Sequence, residues 1–165
     1  MLGKIVVIGD VMLDKYSYGD VKRLNPEGPN PLLHIHHEEY RLGGAANVAA
    51  NIASLADSCD LIGMVGEDAN TEIFMTACEE ANIHLIPVLS SSPTITKWRF
   101  IENTYHQQML RVDYEERVDI IGYQIEKISE ALEQVSYEYI VISDYNKGMI
   151  TPDLVHMLQT YAREK

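Results

Sequence analysis

The stretch Arg41-Leu42-Gly43-Gly44-Ala45-Ala46-Asn47-Val48-Ala49-Ala50-Asn51 sets a paired glycine directly before an alanine-rich helix. Two glycines let the backbone approach a ligand with no Cβ in the way. The helix that follows offers unpaired N–H groups in its first turn. Asn47 adds a side chain that both donates and accepts, as a sugar hydroxyl requires. Glycine before a helix also serves plain packing, so the neighbouring residues decide. Upstream, the apolar run Lys4-Ile5-Val6-Val7-Ile8 ends in Gly9-Asp10, with Asp14 close behind. Open α/β sheets bind ligands at the carboxyl ends of their strands. Asp10 and Asp14 are placed there to accept hydrogen bonds from sugar hydroxyls; the alternative for each is a turn carboxylate.

A substrate that already carries a phosphate also needs fixed cations. Lys97 and Arg99 alternate with Trp98 along one strand and so share a face. Arg41 precedes the diglycine, Arg111 follows Gln107-Gln108, and Lys147 lies in the loop after a short apolar run at 139–142. Arginine grips phosphate with two parallel hydrogen bonds, whereas lysine is a mobile point charge. The whole chain has 13 basic and 25 acidic residues, a net charge of −12. That balance argues against nucleic acid as partner. It would also repel a phosphorylated substrate unless cations cluster locally.

Other chemistries find little support. No GxxxxGK(S/T) loop is present, which excludes a Walker-type nucleotide site. Of His34, His36 and His37 only the first two share a strand face, and no Cys or His stands at ligand spacing from them, so a lid strand or a subunit contact is expected rather than a metal. Cys59 and Cys78 form no C-x-x-C pair and read as two ordinary thiols of a reducing, cytoplasmic setting. No apolar run reaches the roughly 18–20 residues that span a bilayer, and the N-terminal residues lack the pattern of a signal peptide.

The elements that must position these residues alternate. A strand at 4–9 is followed by extended pieces at 16–19 and 31–36, kept non-helical by the Pro26-Glu27-Gly28-Pro29-Asn30-Pro31 connection. A helix over 44–56 carries Val48, Ile52 and Leu55 on its expected buried face, with Ala45, Ala49 and Ala53 allowing close approach to a sheet. A strand at 60–65 precedes a helix near 70–81 with Asn70 as its expected cap. Strands follow at 83–88, 94–102 and 107–112. Ile121, Ile125, Ile128, Leu132 and Val135 mark the buried stripe of a helix over about 119–135. Residues 139–142 form a short buried strand, and Thr151 caps a last helix that opens with Pro152. Tyr105, Tyr114, Tyr123, Tyr137, Tyr139 and Tyr161 read as half-buried packing, while Tyr16 and Tyr18 are candidates for a place near the sugar. Strand–helix alternation implies a mostly parallel sheet.

Gly9-Asp10-Val11-Met12-Leu13-Asp14, Gly43-Gly44-Ala45-Ala46-Asn47-Val48-Ala49 and Val65-Gly66-Glu67-Asp68 resemble the N-terminal half of the ribokinase-like (PfkB) carbohydrate kinases. The spacing follows the family's first signature up to Gly66, except that Ala56 stands where that signature has Gly or Ser. Asn25-Pro26-Glu27-Gly28-Pro29-Asn30-Pro31, His106-Gln107-Gln108-Met109-Leu110-Arg111-Val112-Asp113 and Ser143-Asp144-Tyr145-Asn146-Lys147-Gly148 are similar to the heptose 7-phosphate kinases within it.

The resemblance implies an α/β fold with a mostly parallel sheet flanked by helices and a small β-sheet lid. Residues 1–165 would be the N-terminal half of one kinase domain, with lid segments near 11–20, 30–40 and 94–112. It implies transfer of the ATP γ-phosphate, with Mg²⁺, to the anomeric hydroxyl of D-glycero-D-manno-heptose 7-phosphate, in ADP-heptose synthesis for lipopolysaccharide. Substrate contacts carry over to Asp14, Gly43, Gly44 and Asn47, and Asp10, Lys97, Arg99, Gln108, Asp144 and Lys147 join them from their own placement. Asp144 binds the sugar, or positions Mg²⁺ through water, or anchors loop amides. The family's general base lies in a Gly-Ala-Gly-Asp motif absent from these 165 residues, so no catalytic residue is expected among them. A homodimer through the lid, with Leu32, Leu33 and Ile35 at the contact, completes the expectation. A kinase of another sugar and a non-catalytic sugar-binding or interaction fragment are the alternatives.

Overall fold

The β-branched run Ile5-Val6-Val7-Ile8-Gly9 forms strand β1 (Ile5–Gly9), buried on both faces, as a central parallel strand must be. In a computed structural model describing residues 3–164, β1 lies between β4 (Cys59–Val65) and β8 (Tyr139–Ser143), with β5 (Ile83–Leu89) outside β4. All three pairings of this sheet A are parallel. Side-chain alternation divides the core. Val7 and Leu61 face helices α1 (Ala45–Ala56) and α2 (Ala69–Glu80), where Ala49, Ala53, Phe74 and Cys78 are buried. Val6, Ile8 and Ile62 face α3 (Gly122–Glu133) and α4 (Pro152–Glu164), packing on Ile128, Leu132, Leu154 and Leu158. The result is a helix–sheet–helix layering.

A second sheet, B, holds β2 (Val11–Leu24), β3 (Pro31–Gly44), β6 (Thr96–Glu102) and β7 (Gln107–Tyr114) in the order β3-β2-β6-β7. The β2–β3 and β6–β7 pairings are antiparallel and β2–β6 is parallel. These are the stretches expected to form the lid, though β2 and β3 are longer than the extended pieces at 16–19 and 31–36. Each runs 14 residues; β2 takes the chain directly from β1 of sheet A, and β3 delivers it to α1.

Several local expectations need correction. In α1 the alanines Ala45, Ala46, Ala49 and Ala53 are buried and Val48 and Ile52 pack half-buried against the same core, as expected, but Leu55 is 78% exposed. Methyl groups let the helix lie close on the strands, which turns the larger side chains Val48 and Ile52 to its flank and Leu55 outward. Asp68, not Asn70, caps α2: its carboxylate accepts the Asn70 amide at 2.8 Å and the Thr94 amide at 2.7 Å. Helix α3 starts at Gly122, leaving Ile121 outside it and exposed, while buried Ile120 takes the anchoring place expected of Ile121. The Gln124 side chain secures that end, accepting the Ile121 amide at 3.0 Å and donating to the Leu89 carbonyl at 2.6 Å. Tyr105, Tyr114, Tyr123 and Tyr139 are exposed rather than packed. Strand β8 is not wholly buried either, because it borders sheet A and exposes Tyr139 and Ile142. Thr151 does cap α4, accepting the Leu154 amide at 3.3 Å. Cys59 and Cys78 are free and buried, and burial pushes their thiols up to about 11 and about 12. Both are thus protonated and unreactive near neutral pH.

Candidate functional site

The register of sheet B brings distant charges into rows. Across β3, β2, β6 and β7 one row reads Arg41, Asp14, Lys97, Asp113, and the next reads Glu39, Tyr16, Arg99, Arg111. Residues opposed in a ladder share a face, so both rows look the same way. They look into a cleft of about 610 Å³ whose far wall is Gly43, Gly44 and Asn47 at the start of α1, with Tyr145 and Lys147 from the loop after β8. The cleft opens at the carboxyl end of β1, where strand ends of an open α/β sheet collect ligands.

Five cations line it, Arg41, Lys97, Arg99, Arg111 and Lys147, against one lining carboxylate, Asp14. This is the local clustering that a chain of net charge −12 needs to hold an anion. Each cation is held by a carboxylate. The Arg99 guanidinium donates to Asp14 at 2.5 Å, and Arg111 donates to Asp113 at 2.9 Å. Lys97 contacts Asp113 at 3.4 Å and Glu115 at 3.1 Å, and Lys147 also bonds Glu115. Arg41 bonds Glu39 at 2.8 Å, and the guanidinium groups of Arg41 and Arg99 lie over the Tyr16 ring at 4.7 and 5.1 Å. The hydrogen bond from Lys147 chiefly holds the Glu115 carboxyl below the usual range, with Lys97 adding to it against burial. For Asp113 burial works upward, but Arg111 and Lys97 outweigh it and the carboxyl is lowered. Both carboxylates are therefore ionised near neutral pH.

Arg99 and Arg111 stand directly opposite each other on β6 and β7. Like charges so placed are unfavourable in a sheet. Asp14 and Asp113 offset the repulsion while leaving other guanidinium N–H groups uncommitted. Such a pair suits an incoming phosphate dianion, which would sit between two forks and two lysines. Gly43 and Gly44 allow this closeness. A Cβ on Gly43 would lie 2.6 Å from an Asp14 carboxylate oxygen, and Gly44 has φ +57°, a conformation that favours glycine.

Of the ten sequence candidates, Asp14, Gly43, Gly44, Asn47, Lys97, Arg99 and Lys147 line the cleft. The other three do not. Asp10 is 3% exposed, and its carboxylate accepts amides of Tyr145 at 2.7 Å, Lys147 at 3.1 Å and Met149 at 3.1 Å. It offers no free oxygen toward the cleft. Gln108 pairs with Ile101, two residues beyond Arg99 along β6, and is not among the residues lining the cleft. Asp144 is exposed and accepts the Asn146 amide at 2.7 Å, closing a tight turn, the anchoring role among its three alternatives. Met12, Leu42 and Tyr145 were not expected and line the cleft. Arg41 and Arg111 were noticed only as cations, and the signal that places them is the strand register opposite Asp14 and Arg99.

Mg²⁺ takes one or two carboxylates together with nucleotide phosphates. The cleft's carboxylate is engaged by Arg99, and among the described residues no group of three or more His, Cys, Asp and Glu is arranged to hold a metal. No helix of the described residues is long and apolar enough to cross a membrane.

Comparison with known proteins agrees with this architecture. Residues 2–163 match the pfkB family carbohydrate kinase. The bifunctional protein HldE of Histophilus somni is 41% identical over 159 residues, covering 94% of this chain and 32% of that protein. HldE of Magnetococcus marinus is 38% identical over 168 residues, covering 96% of this chain and 34% of its own length. The chain thus spans about a third of the curated relatives it matches. Among solved structures, Escherichia coli phosphofructokinase-2 in complex with fructose-6-phosphate shares the fold with a TM-score of 0.70 at 17% identity, over 99% of this chain and 52% of that one. A carbohydrate kinase from Agrobacterium tumefaciens gives a TM-score of 0.67 at 18% identity, over 99% and 51% of the two chains. With its sheet A, its small mixed sheet B and this match along almost its whole length, the chain belongs to the pfkB family of carbohydrate kinases.

Proposed function

We propose that this chain supplies the sugar-phosphate half-site of a heptose 7-phosphate kinase. The observation that carries the reading is the convergence of five cations with Asp14, Asn47 and the diglycine on one cleft. Asp14 and Asn47 suit hydroxyls, and Arg99, Arg111, Lys97 and Lys147 suit a phosphate already on the substrate. The choice of a heptose rests on the motifs of residues 25–31, 106–113 and 143–148 and on the likeness to HldE. In the full reaction the γ-phosphate of ATP, with Mg²⁺, passes to the anomeric hydroxyl of D-glycero-D-manno-heptose 7-phosphate, a cytoplasmic step toward ADP-heptose and lipopolysaccharide. The part of these residues is to bind and orient the acceptor, which lowers the barrier by holding the hydroxyl in line. A base and an anion hole for the migrating phosphoryl group are further requirements, and the Gly-Ala-Gly-Asp motif that carries them in the family is absent from the 165 residues.

Calorimetry on the chain tests this. Heptose 7-phosphate is expected to bind at least about tenfold more tightly than the unphosphorylated heptose, since hydrogen bonds to charged groups each contribute about 1.5–3 kcal/mol. No ADP should form when MgATP is added. Equal affinity for the two sugars overturns the phosphate reading, and turnover at an ordinary kinase rate overturns the assignment of the base elsewhere.

The same reading includes a homodimer through sheet B. Strand β3 is one of its two outer strands, with one edge unpaired, and Ile35 is exposed among histidines along it. Open strand edges recruit partners. Leu33→Asp is expected to shift the light-scattering mass from two chains toward one. A wild-type mass of one chain at micromolar concentration removes the dimer.

A further inference from the structure

Asp10 and Asp14 look alike in sequence, yet only Asp14 reaches the cleft. The buried Asp10 carboxylate gathers three amides, those of Tyr145, Lys147 and Met149. These alternate with Asn146 at φ +59° and Gly148 at φ +109°. Positive-φ residues alternating along a loop let successive amides turn to one side and form a concave anion receptor. Here the anion is a side chain of the protein itself. The Asp10 backbone extends the same junction: its N–H donates to the Ser143 carbonyl at 3.1 Å, and its carbonyl accepts the Ala45 amide, the first of α1, at 2.9 Å. One residue thus joins the end of β1, the loop after β8 and the start of α1.

We infer that Asp10 is a positioning residue that sets the phosphate-recognising wall of the cleft by acting through Lys147. The inference rests on the sugar-phosphate reading above. Lys147 enters the cleft from a loop without regular structure. Its own amide is one of the three that Asp10 binds, so the carboxylate fixes where the Lys147 side chain starts. The ammonium group then meets Glu115 beside Lys97. The chemistry demands a carboxylate. An asparagine has one acceptor oxygen, and its NH₂ would face N–H donors.

Asp10→Asn separates positioning from simple charge. Removing a negative charge near the cations should strengthen anion binding, whereas releasing the loop should weaken it. Calorimetry with inorganic phosphate, heptose 7-phosphate and unphosphorylated heptose reads the difference. The expected result is about a tenfold loss for both phosphate-bearing ligands, with the unphosphorylated heptose, held by Asp14 and Asn47, unchanged. Adding Lys147→Ala to Asp10→Asn should cost little more, because two residues that act as one are not additive. Phosphate affinity that rises or stays constant overturns the inference, as does a parallel loss of all three ligands.

Should Asp10→Asn not fold, hydrogen exchange of the wild-type chain decides. The amides of Tyr145, Lys147 and Met149 are expected to be protected and to open together as one unit. Exchange of the Lys147 amide at the rate of a free loop overturns the inference. If heptose 7-phosphate does not bind the wild-type chain at all, the sugar-phosphate reading fails, and the exchange measurement still judges Asp10.

Discussion

Asp14→Ala is expected to weaken heptose 7-phosphate binding by roughly 10- to 150-fold, from the loss of about 1.5–3 kcal/mol that a hydrogen bond to a charged group contributes. Two effects of opposite sign are at work. Asp14 is the carboxylate lining the cleft, so its removal leaves the sugar hydroxyls short of an acceptor. It also releases Arg99, which donates to Asp14 at 2.5 Å, to bind an anion more freely. The first effect dominates for a sugar phosphate, because the hydroxyls stay buried without a partner. The second dominates for inorganic phosphate, which has no hydroxyls to place. Asp14→Ala should therefore bind inorganic phosphate as well as the wild type or better, and heptose 7-phosphate worse. In a kinase of full family length the same loss should lower kcat/KM by a similar factor. Unchanged heptose 7-phosphate affinity removes Asp14 from the sugar site.

The fate of Asp10 beside that of Asp14 shows what the sequence carries and what it does not. Period and composition foretell β1 and its neighbours, because a strand buried on both faces must be apolar throughout. The motifs locate the cleft through Asp14, Gly43, Gly44 and Asn47, which lie close together along the chain or on paired strands. Asp10 carries the same chemistry, but its partners are amides 135 or more residues away, and the loop's turn geometry decides where they point. No local pattern encodes that. Gln108 was placed by its motif, and its register position opposite Ile101 lies beyond the residues that line the cleft. Arg41 and Arg111 stand out in the sequence only as available cations, and strand register is what sets them against Asp14 and Arg99. In α1 the alanines and the flanking Val48 and Ile52 meet the sheet as their spacing suggests, while Leu55, one turn later, is left outside. The elements follow from short-range periodicity, and the site follows from register, which is a property of pairs of strands.

Gly44→Ala is expected to destabilise the chain by about 2–4 kcal/mol, from the left-handed backbone penalty together with the strain of a fixed neighbour. Gly44 has φ +57°, and a Cβ there would lie 2.3 Å from the Asp10 carbonyl oxygen. That oxygen cannot retreat readily, because it accepts the Ala45 amide and belongs to the residue whose carboxylate holds the 145–149 loop. A shift here would disturb the start of α1 and the Lys147 wall together, so stability and ligand affinity should fall in one variant. For a chain of this size the stability loss corresponds to a fall in Tm of roughly 5–15 °C. Gly122→Ala is the matched control: a Cβ there meets nothing within 4 Å, and its φ is not in the left-handed range. At the first position of α3 an alanine should leave Tm unchanged or raise it slightly, because it restricts the unfolded chain. Thermal unfolding of the two variants side by side separates the geometric cost from the general effect of replacing glycine. A Gly44→Ala chain that melts with Gly122→Ala and still binds heptose 7-phosphate would show that the junction between β1, α1 and the loop is soft. The three-way anchoring by Asp10 would then not govern the cleft.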